Sequence, residues 1–179
     1  MLIHVKYVSF LFALTPEILL HCQIMSKKFS QVALTSCSSY NNHDLSQSLD
    51  RALKTLELPT NLHSSEVLLK PNLISAKAGP LACTEGAVIL AVARWFIDQG
   101  ARVGIGDSPA FGTAASVLKN INLNSNPNAN LNLLDELAHL GVQIRPFTQG
   151  VPVELPGGGQ AILARVALEC DLLVNIPRV

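Results

Sequence analysis

The sequence is poor in charged residues. Asp, Glu, Lys and Arg make up 15% of its 179 residues, whereas about 25% is usual in globular proteins. The 13 basic residues balance the 13 acidic ones, so the formal net charge is +0. A nucleic-acid-binding protein needs a basic surface to neutralise phosphates, and this composition does not supply one. Because 49% of the residues are hydrophobic, a disordered chain is excluded as well.

The sequence also lacks the apolar run that a membrane span needs. The run at residues 7–14 near the N-terminus is far shorter than the ~18–20 residues required. It resembles the core of a signal peptide, but no small-residue cleavage site follows it. We therefore predict a cytoplasmic protein that does not contact a membrane, and an export signal remains the alternative.

Paired cysteines and familiar catalytic motifs are absent too. No two cysteines lie within five residues of each other, so zinc-type and ferredoxin-type spacings are missing. GxSxG, P-loop and HExxH motifs are also missing. We predict separate reduced thiols, no metal site and no cofactor held by this chain. Cys83 differs from the others because it precedes a predicted helix, whose dipole would favour a thiolate.

The two ends of the sequence suggest where the domain lies. Met25 resembles a translation start, so we interpret residues 1–24 as an extension outside the domain and residues 25–179 as the domain itself. An Asn-rich stretch, residues 120–132, is predicted to be a surface loop. The last predicted strand, residues 171–176, stops just before Val179. Since α/β domains seldom end on an uncovered central strand, we expect an incomplete domain.

Strand and helix patterns alternate along the chain after Met25. This rhythm predicts an α/β fold with a mainly parallel sheet and helices on both faces, plus a C-terminal hairpin around a glycine turn. Thr84 is the predicted N-cap of the second helix, and Gly100 its end. The predicted strands are residues 32–35, 67–69, 102–105, 142–144 and 171–176, the helices 45–56, 85–99 and 133–140, and the hairpin arms 151–154 and 161–163.

Polar residues follow three of the predicted strands, and ligands of parallel α/β sheets bind outside the carboxyl ends of the strands. If these strands are neighbours, the polar residues form one cleft. Its basic side chains would hold an anionic ligand, Ser108 would donate to a phosphate, and Asp107 would bind a metal or act as a general base. The alternative is that all of them are turn and capping residues. The candidate residues are Lys70, Asn72, Asp107, Ser108, Asn175 and Arg178.

Taken together, these motifs resemble the DUF362 family of domains of unknown function. Residues 67–73 are similar to its V-x-hydrophobic-K-P-N-hydrophobic segment, residues 100–109 to its G-A-x-V-x-x-G-D-S-P stretch, and residues 168–177 to its strand that ends in proline. Thr84 matches the family's T-x-P region, although Gly86 replaces the proline, and this match adds Thr84 to the candidate ligand-binding residues. The resemblance covers about residues 30–179.

The resemblance implies more about fold than about activity. Many family members are associated with a 4Fe-4S cluster in a ferredoxin-like module, but the cysteine ligands for it are absent from this chain. Arg178 stands near a family lysine, and the chain ends before the family's next motif. We expect a domain that binds an unknown small anionic molecule, with a ferredoxin-like domain or a missing C-terminal half as partner. The alternatives are a non-catalytic interaction domain and a truncated, inactive gene product, and whether the protein is an enzyme stays open.

Overall fold

A computed structural model describes residues 7–9, 33, 35–56, 58–59, 61–75, 77, 82–121, 132–155 and 157–178. The strands are β1 (Tyr7–Ser9), β2 (Glu66–Pro71), β3 (Arg102–Ile105), β4 (Gln143–Ile144), β5 (Gly150–Glu154), β6 (Gln160–Ala164) and β7 (Leu172–Ile176). Five of them form one sheet in the order β1-β7-β2-β3-β4, and every neighbouring pair in it is parallel. An antiparallel hairpin consists of β5 and β6. The predicted α/β class, with a mainly parallel sheet and a C-terminal hairpin, is confirmed.

The three predicted helices, α1 (Asn42–Lys54), α2 (Gly86–Asp98) and α4 (Leu133–His139), begin and end within three residues of the predicted positions. The Asn41 side chain caps α1 by accepting a hydrogen bond from the Asp44 backbone nitrogen at 2.9 Å. Gly100 follows α2 with φ of 82°, a left-handed conformation that glycine adopts without strain. Within the described ranges, no helix has the length and apolar character to cross a membrane. The structure has two further helices that were not predicted, α3 (Ala114–Asn120) and α5 (Arg165–Glu169).

The first four helices share one apolar core with one face of the sheet. Side chains alternate between the two faces along a strand. Val67 and Leu69 of β2 belong to this core, so Leu68 and Lys70 face the other way. The helices contribute apolar side chains at helical spacing, which is why they lie flat on the sheet. Core members from α1 to α4 include Leu45, Leu49, Leu53, Val92, Phe96, Val117, Leu118, Leu133 and Leu137.

The second face of the sheet is covered by much less helix. A cavity of about 30 Å³ there is lined by Leu68 and Gly104 from the sheet, and by Val166, Glu169 and Cys170 from α5 and the residue after it. Helices therefore lie on both faces, as predicted, but very unequally. Desolvation by burial raises the pKa of the Cys170 thiol, so this thiol is protonated at neutral pH.

Part of the segment predicted to lie outside the domain, residues 1–24, pairs with the sheet. Tyr7–Ser9 forms β1 and pairs with β7 in parallel register, so this part of the N-terminal segment belongs to the sheet. This pairing covers backbone groups of β7, from Leu173 to Asn175, that would otherwise be unpaired at the sheet edge. The predicted first strand at residues 32–35 does not take that place, because its two described residues, Ala33 and Thr35, lie in no strand.

The Asn-rich stretch predicted as a loop is described only at its two ends. Asn120 is the last residue of α3. Asn132 is the N-cap of α4, where its side-chain oxygen accepts a hydrogen bond from the Asp135 backbone nitrogen at 3.0 Å. Residues 122–131, where the loop was predicted, lie outside the described residues.

Candidate functional site

The polar residues predicted at three strand ends lie at one edge of the sheet. β2 lies between β7 and β3, and all three run parallel, so the strands are the neighbours that the prediction required. Lys70 in β2 is the register partner of Asn175 in β7. The Gly106 nitrogen, just after β3, donates to the Leu69 oxygen of β2 at 3.0 Å. We call this edge, where β7, β2 and β3 end, the carboxyl edge.

A buried carboxylate joins the segments that follow β2 and β3. Asp107 Oδ1 forms an ion pair with Lys70 Nζ at 3.0 Å. Its other oxygen, Oδ2, accepts a hydrogen bond from the Leu73 backbone nitrogen at 2.7 Å. The Asp107 side chain is 7% exposed, whereas that of Lys70 is 36% exposed. Asp107 therefore holds the lysine ammonium at the carboxyl edge while the ammonium stays open to solvent.

Thr84, just before α2, forms hydrogen bonds to the segment after β2 and to the end of β7. Its Oγ1 accepts a hydrogen bond from the Asn72 nitrogen at 2.8 Å and donates one to the Ile176 oxygen at 2.6 Å. The predicted N-cap role is wrong, because the N-cap of α2 is Glu85, which makes no side-chain capping bond. The Asn72 amide is also engaged, since its Nδ2 donates to the Ala82 oxygen at 3.1 Å. Both residues hold backbone segments in place.

The remaining candidates fall into two groups. Arg178 Nη1 donates to the Cys83 oxygen at 3.1 Å and lies 3.7 Å from Glu85 Oε2, so this cation is engaged with the start of α2. In the part of the chain that the structure describes, the Asn175 amide and the Ser108 hydroxyl have no hydrogen-bond partner. Ser108 is exposed and Asn175 is half-buried. These two side chains are available for hydrogen bonds to a ligand.

The described side chains at this edge include no cluster of metal ligands. Among the described residues, no group of three or more His, Cys, Asp or Glu side chains is arranged to hold a metal ion. Cys83 is buried, and its Sγ accepts a hydrogen bond from the Ile74 backbone nitrogen at 3.4 Å. Its place in the structure is thus explained by packing and by this bond.

Comparison with known families identifies the domain. Residues 67–179 match the family described as Domain of unknown function (DUF362). The chain belongs to the DUF362 family. The matched range contains all three strand ends of the carboxyl edge, so the motifs that predicted the family are also those that build this edge.

A curated relative shares most of this DUF362 chain. The thylakoid-associated protein sll1697 of Synechocystis sp. is 31% identical over 151 residues, which are 82% of this chain and 44% of that protein. The chain therefore spans less than half the length of this relative. No solved structure matches the chain.

Sequence analysis of this DUF362 chain missed two residues of the carboxyl edge. Ile74 and Phe111 are large apolar side chains that are 38% and 74% exposed. They lie in the segments that follow β2 and β3, next to the polar motifs. An aromatic residue just after Gly106-Asp107-Ser108-Pro109, in a segment with loop composition, was a usable signal, because loop residues at strand ends often contact ligands.

The role of Thr84 in this DUF362 domain predicts a loss of stability on substitution. Thr84→Val removes the hydroxyl and leaves the Ile176 oxygen and the Asn72 nitrogen without a partner in a buried place. We expect a loss of about 2 kcal/mol in the free energy of unfolding, measured by urea denaturation of the full chain. The matched control, Thr84→Ser, keeps both bonds and loses only a methyl group, for about 1 kcal/mol. Equal losses in the two variants would contradict the proposed role of the hydroxyl.

Proposed function

We propose that this DUF362 domain binds a small anionic ligand at the carboxyl edge. The observation that carries the proposal is the placement of the Lys70 ammonium, which Asp107 fixes over the ends of β2 and β3 at 3.0 Å while 36% of the lysine side chain stays exposed. A cation that is held in place and still reaches solvent loses little conformational entropy when it binds an anion.

The unused hydrogen-bond donors around Lys70 support the binding of an anion beside this lysine. An ammonium group has three N–H donors, and Asp107 is its only partner among the described residues. Asn175, the register partner of Lys70, adds two amide donors, and the exposed Ser108 adds a hydroxyl. Charge-assisted hydrogen bonds of this kind are the strong ones in carboxylate and phosphate recognition.

The position of the start of α2 also favours a negatively charged ligand. The Thr84 nitrogen donates to the Asn72 oxygen at 2.9 Å, which places the beginning of α2 beside the end of β2. The N-cap of α2 is the acidic Glu85, whose carboxylate lies 3.7 Å from Arg178 Nη1, and the first turn of the helix has no acidic residue. Because Arg178 offsets the charge of Glu85, the positive end of the helix dipole adds to the field of Lys70 at the carboxyl edge.

Asp107 is a positioning residue in this proposal. Each of its carboxylate oxygens already has a partner, Lys70 Nζ for one and the Leu73 nitrogen for the other. Because both oxygens are engaged, the carboxylate acts by orienting the lysine ammonium. The proposal is therefore a binding function and includes no reaction. Association with a ferredoxin-like iron–sulfur domain stays a prediction on which this site does not depend.

Removing the lysine charge tests the proposal. We expect Lys70→Met to weaken the binding of inorganic phosphate to the full chain by about 10-fold or more, measured by isothermal titration calorimetry. The matched control is Lys54→Met, since Lys54 also forms a carboxylate ion pair, with Asp50 at 2.6 Å, but lies on α1. Equal affinity of the Lys70→Met variant and the unmodified chain would refute the proposal. So would the absence of any binding by the unmodified chain when both phosphate and citrate are titrated.

A further inference from the structure

We propose that the ligand of the carboxyl edge is a small hydroxy acid, in which a hydroxyl group stands on the carbon next to the acidic group. Lys70 binds the acid, and the Asn175 side-chain oxygen accepts a hydrogen bond from the hydroxyl. This inference rests on the proposed anion site and names the class of molecule that the site takes. It depends on where these two side chains lie and on which of their polar groups are unused.

Lys70 and Asn175 lie side by side on the second face of the sheet. Leu69 and Val174 are register partners in β2 and β7, and both belong to the core that the sheet shares with the helices. Because side chains alternate along a strand, the next register pair, Lys70 and Asn175, faces the other way. Neighbouring strands are about 4.8 Å apart, so one small molecule can contact both side chains.

The lysine ammonium is held on the side of β2 that is away from Asn175. β2 lies between β7, which carries Asn175, and β3. Lys70 Nζ forms its ion pair with Asp107 Oδ1 at 3.0 Å, and Asp107 follows β3 along the chain. The ammonium therefore leans towards β3, whereas the amide lies on the opposite neighbouring strand. The two groups flank a gap above the end of β2.

This gap is bounded on two sides. α5 and the residue after it cover the second face at Leu68, which lies two residues before Lys70 in β2. On the β3 side, Gly106 has no side chain, and a methyl group there would lie 2.8 Å from Cε1 of the Phe147 ring. The gap stays open to solvent, because Lys70 is 36% exposed and Asn175 is half-buried. These boundaries favour a small molecule.

The unused groups of Asn175 determine what else the ligand carries. An amide side chain has two N–H donors and one oxygen that accepts. In the part of the chain that the structure describes, neither end of this amide has a hydrogen-bond partner, although the residue is half-buried. A ligand that satisfies such groups gains affinity. The N–H donors suit an ionised acid, whereas the oxygen needs a donor, and an ionised acid has none.

A hydroxyl group is the donor that fits beside this lysine. An amino group could also donate to the Asn175 oxygen, but it is positively charged at neutral pH. The Lys70 ammonium on the other side of the gap would repel it. A hydroxyl is neutral, and on the carbon next to the acid it lies close enough for the amide to meet it while Lys70 holds the acid. The site therefore favours hydroxy acids over amino acids and over plain acids.

Malate and succinate form a matched pair of probes, since they differ only in one hydroxyl group next to a carboxylate. We expect the full chain to bind malate about 10-fold tighter than succinate in isothermal titration calorimetry. Aspartate, with an ammonium group in that position, should bind no tighter than succinate. Asn175→Leu should remove the preference for malate. The control is Gln99→Leu, because Gln99 is an exposed amide at the other end of α2, and it should keep the preference.

The outcomes separate this inference from the proposed function. If phosphate or succinate binds through Lys70 but malate binds no tighter than succinate, the inference is refuted and the proposed function stands. The same holds if aspartate binds as tightly as malate, or if Asn175→Leu keeps the preference for malate. If the unmodified chain binds none of these anions, both are refuted.

A spectroscopic measurement on the unmodified chain covers the case in which Asn175→Leu does not fold. The side-chain amide protons of Asn175 give their own NMR signals. At saturation, malate should shift these signals more than succinate does, because only malate donates a hydrogen bond to the amide oxygen. Equal shifts with the two probes would show that the hydroxyl does not meet Asn175, and the inference would be wrong.

Discussion

Gly106→Ala is expected to destabilise the domain by about 3 kcal/mol, one of the two largest effects that we predict. Gly106 directly follows β3, where the Arg145 nitrogen donates to the Ile105 oxygen at 2.8 Å and brings the chain after β4 against it. A methyl group on Gly106 would overlap the carbonyl oxygen of Arg145 and lie 2.8 Å from Cε1 of Phe147. Because a backbone group is in the way, a side-chain rotation cannot relieve the overlap.

Urea denaturation of the full chain, followed by circular dichroism, measures this effect. Gly104→Ala, two residues earlier in β3, is the matched control, because its added methyl group would contact Cγ of the Arg145 side chain at 2.8 Å and no other atom closer than 3.6 Å. A side chain can shift, so we expect a loss of about 1 kcal/mol there. If the two variants unfold at the same urea concentration, the close approach of the Arg145 backbone to Gly106 is not a feature of the folded protein.

Asp107→Ala is expected to cost about 3 kcal/mol of folding stability. The substitution leaves the Leu73 nitrogen without its acceptor and the Lys70 ammonium without its counter-charge. Removing one partner of a buried ion pair commonly costs about 3–5 kcal/mol, and the partial exposure of Lys70 brings the expected loss to the lower end of that range. The loss combines an unsatisfied backbone donor with a lost ion pair.

A second variant separates these two contributions. Asp107→Asn keeps an oxygen that can accept from the Leu73 nitrogen and removes the charge, so we expect it to lose about half as much stability as Asp107→Ala. Thermal unfolding at low and high salt measures the difference, since salt weakens the ion pair and leaves the neutral hydrogen bond nearly unchanged. An Asp107→Asn variant as unstable as Asp107→Ala would show that the charge, and not the bond to Leu73, accounts for the loss.

The structural features that the sequence predicts correctly depend on residues that are close together along the chain. The positions of α1 and α2 and the glycine that ends α2 each depend on residues within a few positions of one another, and all three are present in the structure. The carboxyl edge was predictable as well, because strands joined by helices run parallel and their carboxyl ends meet at one side of the sheet. The sequence did not show that β7, β2 and β3 are neighbours in the sheet, so this had to be assumed.

The contacts that sequence could not predict join residues far apart along the chain. The Thr84 hydroxyl reaches the Ile176 oxygen across 92 positions, and Asp107 reaches Leu73 across 34. A threonine before a helix has the same local pattern whether it caps the helix or bonds to a distant strand, so the N-cap prediction failed. The edge strand β1 escaped prediction for a similar reason, since its pairing depends on β7 at the other end of the chain.

The two outer strands of the sheet have a consequence for solubility. Among the residues that the structure describes, the sheet is bounded by the three residues of β1 at one edge and the two residues of β4 at the other. The longer strands β7 and β2, whose side chains are mostly buried, lie in the interior. Because these edge strands are short, they present few unpaired backbone groups to another extended chain. This opposes growth of the sheet by addition of further molecules. The two longest strands of the sheet are thus kept away from its edges.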